Sequence, residues 1–200
     1  MAEPTPFQRQ FPNVLTALRI ALALPVALLV VADALWAGPA ALILFVFAAS
    51  LDWFDGHLAR RWNVTSDFGR ALDPVADKVL VGAALLGLAA DGLLGFWLVI
   101  PAVVIIGRDF TICGMREFAG LNRRTLHVSK LAKWKTAVEL AALTLLLAVP
   151  ALGPWIGVRG PVLYQLGAAA LWLAAFLSLW TGLAYGRAVL APQSGPGEPE

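Results

Sequence analysis

Four aspartates lie within one stretch of an otherwise apolar chain, DWFDGHLARRWNVTSDFGRALDPVAD. They are Asp52, Asp55, Asp73 and Asp77. The first two are three residues apart and the last two are four apart, so each pair shares one face of a helix if its segment is helical. Carboxylates at a membrane boundary are costly, which makes these aspartates candidates for a functional site.

Four carboxylates brought together would repel one another unless a cation lay between them. Ligands that are all oxygen atoms favour Mg²⁺ or Mn²⁺ over zinc. Two such divalent cations would balance the four negative charges. This arrangement predicts a site that binds and activates a diphosphate.

The elements that hold these aspartates are predicted to be membrane helices. The chain is 60% hydrophobic and 14% charged, which excludes an ordinary water-soluble domain. Its net charge of +2 is too small to indicate nucleic-acid binding. Six apolar stretches approach the roughly 20 residues needed to cross a bilayer. They span approximately 14–36, 39–59, 71–90, 93–115, 131–149 and 161–185.

The predicted fold is therefore all-α, a polytopic integral membrane protein with six transmembrane helices. Before the first of them, PTPFQRQFPN predicts a short interfacial helix that ends at Pro12. We interpret the first apolar stretch as a retained helix rather than a cleaved signal peptide. Residues 1–190 are predicted to form one domain, followed by a disordered Pro/Gly-rich tail at 191–200.

The basic residues predict the orientation of the helices. With these six stretches, all but one of the 15 Lys and Arg residues fall on the same side of the membrane, and Arg159 falls on the other. The positive-inside rule makes the crowded side cytoplasmic. Both chain termini and all four aspartates are then predicted to face the cytoplasm, in the inner membrane.

Small residues follow the first aspartate pair. Gly56 removes a side chain beside the carboxylates, Ala59 keeps the next turn small, and Arg60 supplies a guanidinium one residue later. A slot with small walls and an arginine at its end is suited to a flat base followed by phosphates.

The full spacing, Asp52-x2-Asp55-Gly56-x2-Ala59-Arg60-x8-Gly69-x3-Asp73-x3-Asp77, resembles the signature of the CDP-alcohol phosphotransferase family at every position. Three further segments resemble the bacterial branch of this family that makes phosphatidylglycerol phosphate. They are FPNVLTALRI at 11–20, GRDFTICGMREFAG at 107–120 and VSKLAKWKT at 128–136.

The resemblance implies an enzyme, commonly a homodimer, that uses two divalent cations. It would transfer the phosphatidyl group of CDP-diacylglycerol to glycerol 3-phosphate and release CMP. Asp52, Asp55 and Asp73 would be metal ligands, and Asp77 both a ligand and the general base. The residues implied to bind CDP-diacylglycerol are Asn13, Thr16, Asp52, Gly56, Ala59, Arg60 and Gly69.

Basic residues flanking the fourth and fifth apolar stretches predict how the second substrate is held. An acceptor that carries a phosphate dianion needs positive charge near the metals. The candidates are Arg108, Arg116, Lys133 and Lys135, although basic residues here also suit anionic lipid headgroups.

The sequence leaves other functions open. The acceptor could instead be phosphatidylglycerol, as in a cardiolipin synthase of this fold, or an inositol phosphate. A prenyltransferase with Asp-rich helices is a more distant alternative. A cation transporter is disfavoured, because such a site is expected near mid-membrane between repeated halves, and no repeat is visible.

Overall fold

The computed structural model describes residues 6–62, 67–121, 130–156 and 160–190. Within those ranges the chain forms six α-helices and no strand, which confirms the all-α prediction. The helices are α1 (Pro6–Val31), α2 (Ala37–Trp62), α3 (Asp67–Ala90), α4 (Gly95–Leu121), α5 (Lys130–Ile156) and α6 (Gly160–Leu190). The predicted tail at 191–200 lies outside the described residues.

Five of the described helices, all but α3, are long and apolar enough to cross a membrane. The protein is therefore a polytopic integral membrane protein. Helix α3 differs because Asp73, Asp77 and Lys78 lie in its first half, before the apolar run that completes it. Whether α3 forms the sixth span stays a prediction.

The helices pack around α1 and α5. Helix α1 packs along both α2 and α3, which contact each other only sparsely, while α5 packs on α6 and α2, and α4 on α6. The interior consists of apolar side chains such as Val26, Phe45, Leu85, Leu143 and Leu171, all fully or almost fully buried. Large apolar side chains also cover much of the outside, as expected for a surface that faces lipid rather than water.

Two glycines allow helices to approach closely. A Cβ atom on Gly87 of α3 would come within 3.0 Å of the backbone oxygen of Ala27 in α1. A Cβ atom on Gly38 of α2 would come within 2.8 Å of the backbone oxygen of Pro150 in α5. Helices in lipid are not driven together by the hydrophobic effect, so the close van der Waals packing that small residues allow supplies much of their attraction. These contacts hold α1 against α3, and α2 against α5.

The start of α1 corrects one prediction. The interfacial helix was predicted to end at Pro12, but Pro12 lies inside the continuous helix Pro6–Val31. Proline removes one backbone hydrogen bond, a loss that tertiary packing can outweigh. Here the ring of Phe11 packs edge-to-face on Trp62 at the end of α2, with ring centroids 6.1 Å apart. This contact fixes the first turns of α1 onto the bundle.

Candidate active site

The two aspartate pairs lie on helices, as predicted. Asp52 and Asp55 belong to α2, and Asp73 and Asp77 belong to α3. Their spacings of three and four residues therefore place each pair on one helical face. The side chains of Asp55 and Asp73 lie outside the described part of the structure, so the geometry below concerns Asp52 and Asp77.

An arginine on α1 joins the two described carboxylates. The Nη1 atom of Arg19 donates to Oδ1 of Asp77 at 2.8 Å and to Oδ1 of Asp52 at 3.0 Å. The Arg19 side chain is 0% exposed, whereas those of Asp52 and Asp77 are 53% and 45% exposed. The guanidinium thus supports the carboxylates from inside the bundle and offsets their mutual repulsion. Both carboxylates therefore remain accessible although each is paired with Arg19.

The contact that connects Asp52 to Asp77 comes from a third helix. Helix α1 packs along both α2 and α3, and its Arg19 bonds both carboxylates. Three helices therefore build the site.

The described residues include no group of three or more side chains arranged to hold a metal ion. Asp52 and Asp77 nevertheless fit the chemistry of a magnesium site, because both offer half-exposed carboxylate oxygens that converge on one cationic nitrogen. The other two aspartates lie on the same helices: Asp55 is in helical register with Asp52 on α2, and Asp73 with Asp77 on α3. The donor set is compatible with divalent cations, and the metal assignment stays a prediction.

Residues predicted to bind the donor lie on the same elements. On α1, Thr16 lies three residues before Arg19, and Asn13 lies three residues before Thr16, so Thr16 is a neighbour of both on the helix surface. Thr16 is buried, and its hydroxyl donates to the backbone oxygen of Pro12 at 3.2 Å. Gly56 lies one turn after Asp52 on α2. The side chains of Ala59 and Arg60, and the surroundings of Gly69, lie outside the described part of the structure.

A second charged cluster joins α4 to α5. We call its four members, Arg108, Asp109, Lys135 and Glu139, the charged tetrad. The Nζ atom of Lys135 lies 2.7 Å from each carboxylate oxygen of Asp109 and also pairs with Glu139. The Nη1 atom of Arg108 donates to Oδ1 of Asp109 at 3.0 Å. Lys135 and Glu139 are each 3% exposed, so this is a buried ion network.

Both arginines predicted to bind the acceptor contact α6. Arg108 donates from Nε to the backbone oxygen of Ser178 at 3.1 Å and from Nη2 to the hydroxyl of Thr181 at 2.7 Å. Arg116, two turns later, lies with its guanidinium carbon 5.9 Å from the ring centroid of Tyr185. Their spacing of eight residues does place both on one side of α4. Lys135 joins Arg108 through Asp109, while the side chain of Lys133 lies outside the described part.

The sequence profile of the CDP-alcohol phosphatidyltransferase family matches residues 9–180. The chain belongs to this family. The match contains α2, α3 and the aspartates just described, so the family resemblance seen in the motif extends over most of the chain. Members of the family generally depend on divalent cations.

Relatives from several bacteria match over nearly their whole length. A protein of Escherichia coli is 38% identical over 180 residues, covering 89% of this chain and 93% of the relative. One from Pseudomonas fluorescens is 41% identical over 181 residues, covering 88% of each. One from Cereibacter sphaeroides is 36% identical over 209 residues, covering 90% of this chain and 95% of the relative. All three are named CDP-diacylglycerol–glycerol-3-phosphate 3-phosphatidyltransferase.

Sequence reasoning missed three charged residues at these clusters. Arg19 was counted only among the residues that set orientation, and Asp109 and Glu139 received no role. A signal was present for two of them, because Arg19 and Glu139 each interrupt an apolar run, and Glu139 follows Lys135 by four residues. Which of these charged side chains pair with one another depends on how the helices pack, and this could not be predicted from their spacing in the sequence.

Replacing Arg19 by methionine should destabilise the protein. The change removes the cation that bonds both Asp52 and Asp77, so the two carboxylates repel each other and the free energy of unfolding should fall by about 2 kcal/mol. Thermal unfolding of the protein in detergent measures the loss. Arg19→Lys keeps one positive charge and should lose less. Equal melting temperatures for Arg19→Met and wild type would show that the bridge contributes nothing to stability.

Proposed function

We propose that this protein transfers the phosphatidyl group of CDP-diacylglycerol to glycerol 3-phosphate, giving phosphatidylglycerol phosphate and CMP. The observation that carries the proposal is the extent of the likeness to relatives named for this reaction, which covers at least 88% of both chains in each case quoted above. The convergence of Asp52 and Asp77 on Arg19 supports it, since diphosphate chemistry needs concentrated carboxylates.

In the proposed reaction, a hydroxyl of glycerol 3-phosphate attacks the phosphorus atom that bears the diacylglycerol. A new oxygen–phosphorus bond forms, the bond to the CMP oxygen breaks, and Asp77 accepts the hydroxyl proton. Asp77 suits this role because its carboxylate is half exposed and is held in position through Arg19. Positioning and charge stabilisation supply most of the catalysis in phosphoryl transfer.

Asp52, Asp55, Asp73 and Asp77 would hold two divalent cations, Mg²⁺ or Mn²⁺. When bound, these ions would neutralise the diphosphate and the charge that develops on departing CMP. The chain's own residues would orient the donor: Gly56, Ala59 and Gly69 leave room for the cytidine diphosphate. Asn13 and Thr16 would border it from α1, and Arg60 would meet a phosphate.

We also propose six membrane spans, with α3 as the sixth, and an inner-membrane protein whose active site faces the cytoplasm. The described connections at one end of the bundle carry the exposed residues Asp33 and Asp91, whereas the basic residues Arg116 and Arg187 lie near the other end. That asymmetry follows the positive-inside rule. The donor's acyl chains would stay in lipid while its headgroup enters from the cytoplasm. The homodimer implied by the family resemblance stays part of the proposal.

The proposal is tested by supplying the purified protein with CDP-diacylglycerol and Mg²⁺ and measuring the CMP released with each of several alcohols. Rapid release with glycerol 3-phosphate is the expected result. Release with phosphatidylglycerol but not with glycerol 3-phosphate would favour cardiolipin synthesis instead. Release only with an inositol phosphate would identify that acceptor.

Arg116 should matter for the acceptor and not for the donor. A charge-assisted bond to a phosphate dianion contributes roughly 1.5–3 kcal/mol, so Arg116→Ala should raise the KM for glycerol 3-phosphate by about 10- to 150-fold. The KM for CDP-diacylglycerol should stay the same. Arg187→Ala removes another exposed arginine, near the end of α6, and serves as the matched control. If Arg116→Ala weakened only the donor, Arg116 would belong to the lipid side.

A further inference from the structure

Lys135 is fully occupied by carboxylates. An ammonium group has three N–H donors, and three carboxylate oxygens surround Nζ of Lys135: both oxygens of Asp109 and one of Glu139. Only 3% of the Lys135 side chain is exposed. For Lys135 to meet a substrate phosphate, as the sequence predicted, one of these carboxylates must first give up its place.

Glu139 makes fewer contacts within the tetrad than Asp109 does. Asp109 uses both oxygens on Lys135, and one of them also accepts from Arg108. Glu139 contacts Lys135 through Oε2 alone, and its Oε1 atom is buried without a hydrogen-bond partner among the described residues. A buried carboxylate oxygen without a donor is costly. Glu139 is therefore the member of the charged tetrad whose hydrogen-bonding capacity is least satisfied.

The charge of the tetrad points the same way. Arg108 and Lys135 contribute two positive charges, which Asp109 and Glu139 cancel in full. A cluster with no net charge attracts a phosphate dianion weakly. The other three members, Arg108, Asp109 and Lys135, carry one net positive charge when Glu139 has moved away. Side chains on a helix lean toward its N-terminus, so Lys135, once released, would turn toward the beginning of α5. Arg116 lies near the end of α4, and the connection between α4 and α5 joins these two ends.

We propose that Glu139 is an internal stand-in for the acceptor's phosphate: it occupies Lys135 while the site is empty and yields that place when the anionic acceptor binds. Glu139 thereby acts as a positioning residue that lowers the affinity for the acceptor. This inference rests on the proposed function, since it assumes that the acceptor carries a phosphate. It assigns Asp109 the opposite effect, because Asp109 holds both cations in position.

Glu139→Gln tests the proposal. Glutamine has the shape of glutamate and can still accept from Lys135, but it lacks the charge that competes with the phosphate. The KM for glycerol 3-phosphate should fall about tenfold, as expected for removing one unit of charge close to a bound anion. The KM for CDP-diacylglycerol should not change. Loss of structure weakens binding, so a fall in KM separates this role from a purely structural one.

A matched control and an opposite variant complete the experiment. Ser178→Ala changes a buried side chain beside Arg108 but keeps the backbone oxygen that Arg108 uses, so its acceptor KM should equal that of wild type. Asp109→Asn should raise the acceptor KM, because Arg108 and Lys135 would then share one neutral amide oxygen instead of a charged carboxylate and would be held less firmly. Calorimetric titration of glycerol 3-phosphate into donor-free protein should give the same order of affinities, independently of turnover.

An acceptor KM that is unchanged or raised in folded Glu139→Gln protein would overturn the proposal. An equal fall in both Glu139→Gln and Asp109→Asn would also overturn it, since net charge alone would then explain the affinity. Failure of the proposed function looks different: wild-type protein would release no CMP with glycerol 3-phosphate at any concentration.

Discussion

Asp77→Asn protein should bind CDP-diacylglycerol as wild type does but release CMP between about a hundredfold and ten-thousandfold more slowly, the range that a general base contributes. Asparagine keeps the shape of the side chain and an oxygen that can accept from Arg19, so the bridge to α1 can persist. It loses the ability to take the acceptor's proton. Donor binding is measured by titration with CDP-diacylglycerol in detergent, and turnover by CMP release.

The comparison with Asp91→Asn controls for the chemical change, because Asp91 is an exposed aspartate in the connection between α3 and α4. That variant should turn over as wild type does. Normal turnover by Asp77→Asn would mean that another residue accepts the proton. A simultaneous loss of donor binding would assign Asp77 to binding rather than to proton transfer.

Asp52→Asn should lower turnover at least about a hundredfold at a Mg²⁺ concentration that saturates wild type, since even changes beside a metal's direct ligands cost 10- to 100-fold. Asp52 is 53% exposed although one of its oxygens accepts from Arg19, so a cation can reach it without rearrangement of the bundle. Raising the concentration of Mg²⁺ or Mn²⁺ should recover part of the loss. The measurement is CMP release as a function of metal concentration.

Metal binding should also be visible without turnover. Mn²⁺ titration followed by electron paramagnetic resonance should show weaker binding to Asp52→Asn than to wild type, while Asp33→Asn, at an exposed position between α1 and α2, should bind as wild type does. Undiminished wild-type activity in excess chelator would contradict the metal assignment altogether.

Much of the fold could be predicted from composition and apolar length. The third and fourth apolar stretches were predicted to be separate, ending at 90 and beginning at 93, and in the structure Gly92 adopts a φ of 82° between them, a conformation that glycine readily takes at the end of a helix. The predicted ends of two segments were less accurate: the interfacial helix was expected to end at Pro12, and the fifth apolar stretch at about residue 149. Pro12 lies within α1, and α5 continues through Pro150 and Pro154 to Ile156. Packing against neighbouring helices decides such cases, because it outweighs the loss of one backbone hydrogen bond.

The sequence by itself determined which aspartates share a helical face, since that depends only on the number of residues between them. It also determined the family, because the motif fixes residue types at fixed intervals. Only the tertiary structure decided which helices meet. It placed Arg19 of α1 between Asp52 and Asp77, and it enclosed Lys135 between Asp109 and Glu139. The physical reason is that an ion pair between helices depends on how those helices cross and rotate. Many distant apolar contacts set that arrangement, and no local spacing encodes it.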